Sequence, residues 1–256
     1  MPFTLSHAAA ALPLRSLLGR YASMSGLIIG SFSPDLPYFM NIGIGAKRTH
    51  SVFGALTYSL IIGFVAYLVF HFLVRPAFLP ALPAPLRERI PRTALKAGLP
   101  QVPIAAVILS LALGALTHVA WDSFTHARAV DLWEPMFAIP VLVVGGHEFF
   151  LYKVLQYASG VIGLLIIAAY LKYWLATTPR REDAVDGYSL RVQLGIALCL
   201  LLIPAFFGVL TAAETAGGHG VAWLVSFLPA TAFAAGAAFV PGVVAISGIL
   251  LLIRAS

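Results

Sequence analysis

Five stretches, at about residues 51–74, 102–121, 154–175, 191–211 and 223–253, run apolar with at most one charge each. Each is near or above the roughly 20 residues that a helix needs to cross the hydrocarbon core of a bilayer. In that solvent backbone amides must be paired within their own segment, so runs of this length are read as helices. Composition agrees, with 60% of residues hydrophobic and only 10% charged, against about 25% charged in soluble domains. The expectation is an all-α, polytopic integral membrane helix bundle of about five transmembrane helices. It forms a single membrane-embedded domain over 1–256, with the motifs in 1–175 and two C-terminal packing helices in 190–256.

Two shorter helical pieces, about 5–20 and 22–33, precede the first run. Pro13, Arg15 and Arg20 interrupt the first, and the second stops at SPDLP, where Pro34 and Pro37 break helix. Short re-entrant or interfacial helices are the expected form. The same arginines spoil the pattern of a cleaved secretory signal, so the segment is read as part of the mature chain. Between the first two runs, RPAFLPALPAPLRERIPRTALKAGLP is Pro-rich and basic and reads as an irregular loop outside the bilayer. Ala232/Gly236 and Ala238/Gly242, at four-residue spacing in the last run, suit close helix packing in lipid. Cys199, the one cysteine, lies in an apolar run and reads as a small hydrophobe.

Orientation follows from the basic residues. Ten of the sixteen (Arg75, Arg87, Arg89, Arg92, Lys96, Lys172, Arg180, Arg181, Arg191 and Arg254) fall on one side of a five-span arrangement. Six (Arg15, Arg20, Lys47, Arg48, Arg128 and Lys153) fall elsewhere, so the richer side is expected to be cytoplasmic. The net charge of +6 is spread over loops and reads as topology, with no nucleic-acid partner. A reporter fused after Lys96 or Arg181 is expected to read cytoplasmic and one inserted near Arg128 external; the reverse pattern would invert the chain.

Against this background GALTHVAWDSFTH is unusual. It ends the second run with His118, Asp122 and His126 at four-residue spacing. On a helix His118 and Asp122 share a face about 5–6 Å apart, close enough to bind one metal ion. His126 is about 12 Å further along the axis than His118 and joins them only if the helix breaks first. The first run begins just after His50 in KRTHSVFG, so antiparallel neighbours bring His50 to the same membrane face. His7 in FTLSHAAA and Asp35 in SFSPDLPYF lie upstream in the same section. Ionisable residues at the bilayer boundary are costly and mark function, and a His and Asp set suits a divalent ion, zinc first and manganese second. Arg48 is a candidate for steering an anionic group, and His147 and Glu148 in VGGHEFF are candidate additions to the site. His71 reads as an interfacial histidine, Gln156 as a polar contact between helices, and His219 as a solvated loop residue.

Taken together, MPFTLSHAAAALPL, SFSPDLPYF, RTHSVFG, FHFLVRP, GALTHVAWDSFTH and LYKVLQYASGVIGLL resemble the bacterial membrane proteins of domain-of-unknown-function family DUF4184, over residues 1 to about 175. More distantly, the order of His, Pro-Asp, Thr-His-Ser and His-xxx-Asp is similar to inner-membrane proteins named as metal-dependent hydrolases. That resemblance implies His7, Asp35, His50, His118 and Asp122 as metal-site positions and a multi-pass protein of the bacterial inner membrane. Those proteins carry further acids and histidines around Pro-Asp, whereas SPDLPYFM has one acid, which favours one metal over two. Two function classes follow. The first is a metal-dependent hydrolase of an ester or phosphoester, with a lipid or lipid-linked substrate met at the outer membrane surface and Asp35 and Arg48 as catalytic residues. The second is a non-enzymatic protein that uses the cluster for structural metal binding or for ion or proton transport.

Overall fold

The computed structural model describes residues 4–40, 42–126, 137–144, 147–215 and 221–255; Arg128 and His219 lie outside the described residues. The chain is an all-α polytopic membrane protein. Among the described residues, five helices are long and apolar enough to cross a bilayer: Val52–Ala81, Ile104–Thr125, Leu151–Thr177, Leu190–Glu214 and Ala234–Arg254. Large apolar side chains on their outer faces, such as Ile162, Leu165 and Leu201, are exposed, as lipid-facing residues are.

The chain divides into two compact units, one of Met1–Tyr38, Ile42–Tyr67 and Pro100–Trp174 and the other of Phe39–Asn41, Leu68–Leu99 and Leu175–Ser256. The first unit contains α1 (Ala8–Leu18), α2 (Met24–Phe32), α3 (Val52–Leu56), most of α4 (Tyr58–Val69) and α5 (Ile104–Thr125). It also holds a hairpin of β1 (Pro140–Val144) and β2 (His147–Phe150), and most of α6 (Leu151–Thr177). The second unit holds α7 (Leu190–Thr215) and α8 (Val221–Ala255).

The core of the first unit is the packing of α2 along α5. Ser23 caps α2 by accepting from the Gly26 amide at 3.1 Å, and the Ser23 amide donates to Ser110 Oγ at 2.9 Å, pinning the helix start to α5. The two backbones then touch. A Cβ at Gly30 would fall 2.8 Å from the Leu111 Cα and on its carbonyl oxygen, and one at Gly114 would fall 2.7 Å from the Ser31 amide. Leu27 and Leu111 fill the flanks of this contact and are fully buried. Any side chain at Gly30 or Gly114 forces the helices apart. Gly114→Val is therefore expected to lower the thermal unfolding midpoint, with a cost at or above the usual 1–3 kcal/mol of overpacking, about. Gly248→Ala, which meets nothing within 4 Å, is expected to leave the midpoint unchanged.

Several expectations need correction. The first span is not one regular helix. It breaks at Thr57, which adopts φ −122° and ψ −87° between α3 and α4, and it passes through a π-helical turn at Phe70–Val74 before continuing to Ala81. The basic loop after it is ordered in short helical turns, and its arginines tie it to the segment after α6. Arg89 donates to the Thr178 and Leu175 carbonyls at 2.7 and 2.9 Å, and the Arg92 amide donates to the Asp183 carbonyl at 2.8 Å. The β1–β2 hairpin lacked a recognisable strand signal, because PVLVVGGHEFF is apolar without strict alternation.

Candidate metal centre

Each arm of the site is delivered by a local feature. His7 ends a 3-10 turn, Thr4–His7, that runs into α1. Asp35 follows α2 across a tight turn in which the Asp35 amide donates to the Phe32 carbonyl at 3.1 Å, with Pro34 and Pro37 stopping any longer helix. His50 sits between a helical turn at Ala46–Thr49 and α3. There Ser51 caps α3 through the Gly54 amide at 2.9 Å, and a Cβ on Gly54 would collide with the Arg48 carbonyl. His118 and Asp122 project from α5 one turn apart.

These five side chains converge. His7, Asp35, His50, His118 and Asp122 are all buried, from 0% exposed at His118 to 7% at His50. Two overlapping groups, His7/His118/Asp122 and Asp35/His50/His118, each have one ligand atom per residue within 4.8 Å of the others. The His7 and His118 rings stack at 3.8 Å, and the His50 ring meets His118 edge-on at 5.2 Å.

The donor atoms point inward because their other sides are held. His118 Nδ1 lies 2.7 Å from the Ser31 carbonyl, which can only accept, so Nδ1 carries a proton and Nε2 faces the cluster. There it stands 3.5 Å from Asp35 Oδ1 and 3.4 Å from Asp122 Oδ2. Asp35 Oδ2 accepts from Thr4 Oγ1 at 2.7 Å, and its Oδ1 is 3.1 Å from His50 Nε2. His50 Nδ1 is 2.9 Å from Thr49 Oγ1, a hydroxyl that can donate or accept, so His50 can turn either tautomer inward.

Two observations test whether a divalent cation suits this donor set. Among the described residues no lysine or arginine pairs with Asp35 or Asp122, so the ionisable partners of these two buried carboxylates are histidines. Buried charge of this kind is costly unless it is balanced, and a 2+ ion balances two carboxylates. Moreover, His7 Nδ1 and His118 Nε2 are buried with no hydrogen-bond partner in the protein, and buried Asp122 Oδ1 has no hydrogen bond beyond the 3.3 Å approach of His126 Nδ1. Imidazole nitrogens with carboxylate oxygens form the set that zinc binds, with manganese next.

Burial, reinforced by the neighbouring His118, lowers the His7 pKa from 6.5 to about 4, so its imidazole is neutral at pH 7, the form that binds metal. Burial alone would raise the Asp35 carboxyl, but His118 and His50 outweigh it and hold it below the usual carboxylate range.

The remaining candidates divide. His126 joins the cluster because α5 ends at Thr125: His126 is extended, at φ −133° and ψ 136°, and its Nδ1 comes 3.3 Å from Asp122 Oδ1. Arg48 is exposed, two residues from His50. His147 and Glu148 lie in β2, and Glu148 is exposed on the hairpin. His71 is buried in the second unit, with Nδ1 3.0 Å from Arg75 Nη1. Gln156 is 2% exposed and its amide nitrogen is 2.7 Å from His126 Nε2. Thr4, Ser31, Thr49 and Lys153 also belong to the site's surroundings; they lie within the stretches that carry the family resemblance, but none stood out there as a site residue, since such a group acquires its role only from what folds against it.

A cavity of about 100 Å³ opens beside His7, lined by Ala9, Ala10, Trp121, Ile162 and Ile166 among others. That is the volume of about three water molecules. Comparison with curated proteins and with solved structures returned no match. A family model does match, over residues 1–248, beyond the motif-bearing part and into the last helix. The chain belongs to the family described as a domain of unknown function, DUF4184.

Proposed function

We propose that this protein is a metal-dependent hydrolase of the bacterial inner membrane that acts on an ester or phosphoester, with a lipid or lipid-linked molecule as substrate. The observation that carries the reading is the buried His/Asp set with inward-facing, unpartnered donor atoms beside a cavity. In this reading His7, His50, His118 and Asp122 hold the ion, and Asp35 is the general base. When bound, a divalent ion supplies Lewis acidity to the scissile group and to water.

The protein's own groups supply the rest. Asp35, kept ionised by its histidine neighbours, takes a proton from water and returns it to the leaving oxygen, while Thr4 fixes the carboxylate's orientation. The cavity has room for water and a reacting group but not for a whole lipid. The hydrophobic body of the substrate therefore stays in the bilayer along exposed Ile162, Leu165 and Ile166 of α6. Exposed Arg48 is suited to meeting an anionic headgroup near His50. The distribution of basic residues supports a cluster on the outer face.

One observation favours a second reading: every proposed ligand is buried, as in closed structural metal sites. A structural or ion-relaying metal centre predicts metal dependence without turnover, so hydrolysis assays on metal-replete protein separate the two readings.

A further inference from the structure

The stretch LYKVLQY, at the start of α6, ends in a hydrogen-bonded chain that runs back to the cluster. Lys153 Nζ is 3.1 Å from Gln156 Oε1. An ammonium can only donate, so the Gln156 amide turns its oxygen to Lys153 and its NH2 the other way. That NH2 lies 2.7 Å from His126 Nε2. Because an amide NH2 also only donates, His126 Nε2 must accept, and the neutral ring must carry its proton on Nδ1. Nδ1 is shared between Thr125 Oγ1 at 3.1 Å and Asp122 Oδ1 at 3.3 Å. Thr125 Oγ1 directs its own hydrogen to the Trp121 carbonyl at 3.3 Å, leaving its oxygen free to accept. Each role in the chain is thus set by the one before it, beginning at Lys153.

We propose that Lys153 and Gln156 are positioning residues that lock His126 in the Nδ1–H tautomer, so that it turns an N–H and not a lone pair toward Asp122 and borders the metal site without being a ligand. The inference rests on the cluster being a metal centre. With the His126 Nδ1–H facing Oδ1 at 3.3 Å, the other carboxylate oxygen, Oδ2, is left facing His50 and His118, each 3.4 Å away. Hydrogen-bonding neighbours of metal ligands act in this way and change affinity by about 10- to 100-fold. The arrangement also gives a role to a buried glutamine that would otherwise be only a polar contact between helices.

The test uses the full-length protein in detergent, with zinc affinity measured by competition against a chromophoric chelator. Gln156→Leu and Lys153→Met are expected to weaken zinc by about 10- to 100-fold. His126→Asn keeps a donor amide near the position of Nδ1, so it is expected to hold zinc close to wild type, and adding Gln156→Leu to it should cost nothing more. His126→Asn losing zinc as fully as His118→Ala would make His126 a ligand and overturn the proposal, as would a Gln156→Leu variant equal to wild type. Nitrogen-15 spectra of the metal-free wild type test the tautomer without any variant or metal: His126 is expected as Nδ1–H, and an Nε2–H signal would overturn the assignment. Absence of zinc binding in the wild type would instead remove the metal-centre reading, while the spectra still decide the tautomer.

Discussion

Purified in detergent, the protein is expected to carry close to one equivalent of zinc or a similar divalent ion, about, and His118→Ala or Asp122→Ala to lose most of it. The reason is both geometric and electrostatic. His118 is the residue common to both groups of ligand-spaced side chains, and its ring is held from behind by the Ser31 carbonyl. Removing it takes away a preset donor and leaves two buried carboxylates nearer to one another's charge. Asp122 touches His7, His50, His118 and His126 within 3.5 Å, so its loss unties most of the cluster. The effect should exceed the roughly 10- to 100-fold cost of losing only a hydrogen-bonding neighbour of a ligand. His219→Ala, in a Gly-rich segment far along the sequence, is the control and should retain the ion. Equal metal content in all three variants would mean that these side chains are buried polar residues and not ligands.

The second large effect is expected at Asp35. Asp35→Asn preserves size and can keep one contact each to Thr4 and His50, but it removes the charge and the ability to take a proton. If Asp35 is the base, turnover should fall by about 100-fold or more, the usual contribution of a positioned acid or base, while most of the metal stays. Loss of metal and turnover together would transfer Asp35 from base to ligand. Its 3.1 Å approach to His50 and 3.5 Å approach to His118 make that transfer structurally simple.

The five long helices were legible because a bilayer imposes length and hydrophobicity on any helix that crosses it, and the described spans begin and end within a few residues of the apolar runs except that the first continues to Ala81 and the last starts at Ala234. The convergence of His50 with His118 and Asp122 was legible for the same reason, since consecutive spans cross the bilayer in opposite directions and the second ends at the face where the first begins. His126 was half legible: its distance along an ideal helix excluded it, and only the end of α5 at Thr125 brings it back. The hydrogen-bonding surroundings were not legible. Ser31 serves His118 through a backbone carbonyl, which has no sequence signature, and Thr4 reaches Asp35 across 31 positions of chain. Glu148 lies exposed in β2, whose pairing with β1 had no alternating pattern to announce it. The ordered loop after the first span escaped for a related reason, since its arginines bond largely to backbone carbonyls some 90 residues away, and the Arg92–Asp186 ion pair, at 2.9 Å, reaches as far along the chain.

The central claim is that the cluster holds a metal that hydrolyses a membrane substrate. The most direct measurement is turnover by metal-replete protein in lipid bicelles, against a panel of carboxylic esters, phosphomonoesters and phosphodiesters with hydrophobic bodies, before and after chelation. Slow hydrolysis of at least one class is predicted, abolished by chelator and restored by added zinc or manganese. Metal-replete protein that turns over no member of the panel would contradict the claim and favour a structural or ion-relaying metal centre.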